Sequence, residues 1–97
     1  MKTFKGTPVP WFEHREGFST VYIEARIGGG ITQEVAACGP CDKGSEQQSA
    51  NAKLIAAAPE LLEALQFTIH DIGYWLSTQK PELKEKIESA INKALGE

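Results

Sequence analysis

No stretch of the chain approaches the roughly 18 consecutive apolar residues of a membrane span, and the opening Met1-Lys2-Thr3-Phe4-Lys5-Gly6 lacks the apolar core of a signal peptide. A cytoplasmic protein with no membrane partner is expected. Positive charge is also short: ten Lys and Arg against thirteen Asp and Glu leave a net −3, which argues against duplex DNA held by phosphate neutralisation. Histidine and cysteine number two each. A closed zinc site would have to join Cys38 and Cys41 to His14 and His70 without the usual second closely spaced pair, so no metal and no cofactor are expected. Length is the last shortage, because 97 residues fall below one mode-sized domain, exclude a two-domain enzyme and predict a single domain over 1–97. What remains is ordinary: 41% apolar and 24% charged residues make a foldable chain with a thin core, not a disordered one.

The chain changes character near residue 45, from strand-like patterning over 1–44 to helical patterning over 45–97. Strands first and helices afterwards predict an α+β fold. Trp11 to Arg15 reads as a first strand. Phe18 to Ile27 reads as a second, with Val21, Ile23, Ala25 and Ile27 on one face and Thr20, Tyr22, Glu24 and Arg26 on the other. Gly28-Gly29-Gly30 permits a tight reversal. Ile31 to Cys38 then alternates Ile31, Val35 and Ala37 with Thr32, Glu34 and Ala36, which completes a three-stranded antiparallel meander. Ahead of it, the prolines of Thr7-Pro8-Val9-Pro10 favour an extended approach along a sheet edge or end.

Two or three helices follow, including a long C-terminal helical hairpin. Ser45 and Gln48 have capping-box spacing for a first helix over about residues 46–57. Pro59 predicts a bend and the start of a second helix to about Thr78, and Pro81 opens a third. On the third, Leu83, Ile87, Ile91 and Leu95 form one apolar line, with Glu82 one turn from Lys86. The second carries two such lines: Leu61, Leu65, Ile69, Ile72 and Leu76 on one side, and Phe67, His70 and Tyr74 nearly opposite. Two apolar faces need two covers, so a homo-oligomer joined through Phe67, His70 and Tyr74 is expected. The competing arrangement is a monomer in which the sheet and third helix sandwich the second.

Cys38-Gly39-Pro40-Cys41 matches the thioredoxin redox signature. The setting differs, because the motif runs into a polar loop and only helices follow, so a loop with two incidental cysteines is the leading reading and thiol–disulfide exchange a minor alternative. Gly28-Gly29-Gly30 lacks the Lys-Ser/Thr of a phosphate loop and reads as a turn. Trp11 reads as a core anchor beneath the sheet. Tyr22 and Arg26, on the outward face of the second strand, offer a shelf for a base and a guanidinium for a phosphate; the plain alternative is a solvated face. Asn51 and Lys53 are further candidates for ligand contact, against ordinary helix and loop hydrogen bonding. No spacing of Ser, His and carboxylates defines a triad or an acid/base pair, so no catalytic residue is assigned and no enzyme is expected.

Two segments resemble a known group of chains. Thr7-Pro8-Val9-Pro10-Trp11, and Ala50-Asn51-Ala52-Lys53-Leu54-Ile55-Ala56-Ala57-Ala58-Pro59-Glu60-Leu61-Leu62-Glu63-Ala64-Leu65, are similar to small phage and prophage proteins. Those begin with a Thr-Pro-Gly-Pro-Trp-like segment and continue to Asn-Ala-Arg-Leu-Ile-Ala-Ala-Ala-Pro-Glu-Leu-Leu-Glu-Ala-Leu. Val9 replaces the usual glycine and Lys53 the usual arginine, and the matched residues are about a fifth of the chain. The resemblance implies phage ancestry and an accessory role in the cytoplasm of an infected or lysogenic host; it transfers no site residues. The plan of a small antiparallel sheet followed by helices also resembles that of multimeric phage sponge proteins. The expected function is therefore anti-defence by sequestration of a nucleotide-type immune signal, such as a cyclic nucleotide or an ADP-ribose derivative, with Tyr22, Arg26, Asn51 and Lys53 as contacts. The alternative is an inhibitor or regulator that binds a host defence protein and takes no small ligand.

Overall fold

A computed structural model describes residues 3–17 and 19–96. Three strands, β1 (Trp11–Glu16), β2 (Thr20–Gly28) and β3 (Ile31–Cys38), precede two helices, α1 (Ser45–Gln79) and α2 (Pro81–Leu95). The fold is thus α+β, with an antiparallel meander in the order β1-β2-β3. The expected start of the second strand at Phe18 lies outside the described residues. Two compact units divide the chain: Gly6–Pro59, and residues 60–96 grouped with 3–5.

In the first unit, the inward line of β2 is Val21, Ile23 and Ala25, all buried. Val21 and Ile23 pack with Ala52, and Trp11, Val35, Ala36, Cys38, Ile55 and Ala56 close around them. Residues 48, 52, 55 and 56 recur at helical spacing, so the opening turns of α1 cover this one face of the sheet. Trp11 serves as the expected anchor, and its Nε1 donates to the Thr7 carbonyl at 3.1 Å just beyond the cis Val9–Pro10 bond. The expected alternation of β3 is corrected. A register shift lies where Ile23 pairs with Ala36 and Glu24 with Glu34, leaving Val35 as an extra residue. This bulge turns Val35 and Ala36 both toward the core and leaves Ala37 exposed. A second shift, between Arg26 and Gly28, leaves Ile27 out of register and exposed instead of in line with Ala25. Gly29 and Gly30 form the reversal with φ of 60° and 76°, values suited to a two-residue turn between right-twisted strands.

Gln48 departs from its expected capping role. It makes no capping box with Ser45: it is 2% exposed, and its Nε2 donates to the Ser19 carbonyl at 2.9 Å and the Cys38 carbonyl at 2.8 Å. Its Oε1 accepts from Arg15 Nη2 at 3.1 Å.

The predicted bend at Pro59 does not occur. α1 runs through Ala58 and Pro59 as helix, and its only non-helical residue is Ile72, at φ −126° and ψ 19°. Pro59 forfeits one hydrogen bond to the turn before it, and the helix carries it without leaving helical geometry there. The break falls next to Gly73, the weakest helix former in the segment. In the second unit Gly73, Leu76 and Ile87 are buried, Leu65, Ile69, Ile91 and Leu95 half-buried, and Leu61, Ile72 and Leu83 exposed. Pro81 opens α2 as expected, and Gly96 closes it in the left-handed region. No helix among the described residues is long and apolar enough to cross a membrane.

Candidate functional site

With α1 against one face of the sheet, no other element of the Gly6–Pro59 unit covers the opposite face. Strand register decides what is displayed there. Phe12, His14 and Glu16 of β1 stand opposite Glu24, Tyr22 and Thr20 of β2. Tyr22, Glu24 and Arg26 in turn stand opposite Ala37, Glu34 and Thr32 of β3. The Arg26 guanidinium carbon lies 5.2 Å from the Phe12 ring centroid, a cation–π contact that lays the cation along the sheet. His14 Nε2 meets Glu16 Oε2 at 2.7 Å. Phe12, Tyr22 and Glu24 are half-buried, whereas His14, Glu16, Arg26, Thr32 and Glu34 are exposed. The face therefore combines two aromatic rings with three carboxylates, one guanidinium and one imidazole.

The four expected ligand contacts do not converge. Tyr22 and Arg26 share that face. Lys53 lies on the helix side of the sheet, where its Nζ is 3.5 Å from Glu13 Oε1 and 2.8 Å from Ser49 Oγ. Asn51 points to the other flank of α1, its Nδ2 donating to Cys41 Sγ at 3.7 Å, because residues two apart on a helix diverge by roughly 200°. Phe12, Glu24 and Glu34 were not singled out by sequence reasoning. Period-two alternation from Trp11 would have placed Phe12 outward, but the Glu24–Glu34 pairing depends on the bulge at Val35.

Cys38 ends β3 against the core, and Cys41 sits in the loop beyond it with its Sγ 3.7 Å from the Gly39 carbonyl. Both are free thiols. Among the described residues no three His, Cys, Asp or Glu side chains gather as a metal site: His14 is engaged with Glu16, and His70 belongs to the helical unit. There, Phe67, His70 and Tyr74 lie exposed on α1, Phe67 at 47% and Tyr74 at 84%, with the break at Ile72 between the last two. A surface depression on α2, lined by Glu85, Glu88, Ser89, Asn92 and Lys93, draws on one helix alone and is open to solvent.

Comparison with curated proteins and with solved structures gives no match. The model of one family, described as Salmonella phage P22 protein Y8K6, matches residues 1–97. The expected phage ancestry holds at that level, and the chain belongs to the family of Salmonella phage P22 protein Y8K6.

Proposed function

We propose that the protein is a non-enzymatic phage accessory protein that acts by binding, its open sheet face capturing a host protein and withholding it from antiviral defence. One observation carries this reading: aromatic and charged side chains are displayed together on a broad sheet face that nothing else in its unit covers. Tyrosine and arginine at a surface supply large contact area and strong directional bonds, which is why they dominate binding energy at protein interfaces. The test is capture from host lysate by the parent and by a Tyr22→Ala/Arg26→Ala variant. Retention of one host protein by the parent alone supports the reading, and identical retention by the variant overturns it.

A second reading keeps the nucleotide-type signal, because Tyr22 and Arg26 share one face, the first with a ring for stacking and the second with a guanidinium for a phosphate. In that reading the protein is an oligomeric sponge. Calorimetric titration with cyclic dinucleotides, cyclic trinucleotides and cyclised ADP-ribose isomers distinguishes the two: heat lost in the same variant favours the sponge.

A further inference from the structure

Glu24 and Glu34 stand directly opposite each other on β2 and β3. Like charges at directly opposed positions destabilise a sheet, and neither carboxylate has an ion-pair partner among the described residues. Among the described residues of this unit, His14 pairs with Glu16 and Lys53 with Glu13, while Arg26 lies over Phe12. Glu34 is exposed and Glu24 half-buried. Local rules are broken in this way where a surface serves a partner. Phe12 is paired with Glu24 and Tyr22 stands one strand period away, so the carboxylates are flanked by apolar area.

We infer that this face docks a basic segment of a partner protein, with a Lys or Arg side chain entering between Glu24 and Glu34 while apolar neighbours of that side chain cover Phe12 and Tyr22. The inference rests on the binding reading above and names the partner's chemistry. Charge decides between partner classes: a phosphate ligand on the same face meets Glu16, Glu24 and Glu34 against Arg26, whereas a cationic segment relieves the repulsion between the opposed carboxylates.

The experiment uses two labelled peptides, one alternating Lys with Leu and Trp and a counterpart with Glu in place of Lys, read by fluorescence anisotropy and by amide chemical shifts of the full chain. The basic peptide is expected to bind, with shifts centred on residues 22–26 and 32–37. Glu24→Gln and Glu34→Gln should each weaken it on the order of fivefold, the factor of one surface ion pair at the upper end of its range, and added salt should weaken it further. Both variants should melt no lower than the parent, because each removes a repulsion, so lost binding cannot be ascribed to lost fold. The inference is overturned if the basic peptide does not bind, if the Gln variants bind it equally, if the shifts fall on the helices, or if only a cyclic dinucleotide shifts the sheet amides. Should lysate capture still depend on Tyr22 and Arg26 in those cases, the partner's chemistry is wrong and the binding reading stands; should it not, both fall.

Discussion

Gln48 holds the ends of all three strands through one side chain: Arg15 near the end of β1, the Ser19 carbonyl before β2 and the Cys38 carbonyl at the end of β3. A buried amide with three good partners is worth more than any one of them, because deleting it strands the others away from water. Gln48→Leu should therefore lower stability by roughly 2–4 kcal/mol, read as a shift in the urea midpoint at unchanged slope. A loss under about 1 kcal/mol would mean that water replaces the amide freely. This residue shows where sequence reading stops. Its spacing from Ser45 suggested a local capping role, but its actual partners lie 10, 29 and 33 positions away, and no local rule encodes a contact at that separation. Tyr22 and Arg26 were legible as outward residues, because alternation in β2 depends only on neighbours. Asn51 and Lys53 were legible as polar helix positions but not as diverging ones, since their direction follows from which stripe of α1 the sheet covers.

At the level of elements, the strand boundaries followed from local chemistry, and the faces did not always follow. The hairpin between β2 and β3 was readable because glycines with positive φ are needed for so tight a reversal. Gly30→Val should cost about 1–2 kcal/mol by forcing a β-branched residue into the left-handed region. Gly29→Asn should be neutral or stabilising, since asparagine tolerates that region and restricts the unfolded chain. A Cβ at either position meets nothing within 4 Å, so the difference in melting temperature between the two variants isolates backbone conformation; equal melting points would contradict the turn assignment. The bulges were not readable, and one extra residue at Val35 changes which side chains face the core. The long helix gave the opposite error. Proline was expected to interrupt it and glycine was overlooked, whereas α1 continues through Pro59 and breaks beside Gly73. Glycine is a weak helix former, and the break falls at Ile72 beside it.

For the molecule as a whole, the two units present different surfaces. The sheet unit displays the mixed aromatic and acidic face; the helical unit leaves Phe67, Tyr74 and Trp75 in solvent. We expect these to drive self-association, so light scattering after size exclusion should give a mass that rises with concentration, and Phe67→Ser/Tyr74→Ser should return it to that of one chain. A parent that stays a single chain at millimolar concentration would remove the oligomeric sponge while leaving the proposed capture through the sheet untouched. The phage ancestry was legible at the level of the family; the make-up of the sheet face was not, because its side chains are brought together across strands by register.

The Gly29-Gly30 tip, free of neighbours around both positions, is also a natural handle. Exposed loop tips tolerate insertions better than any ladder position, so a short biotin-acceptor tag placed between these glycines would tether the protein at the end of its β2–β3 ribbon. Immobilised there, the broad side of the sheet stays available to whatever host extract flows past it.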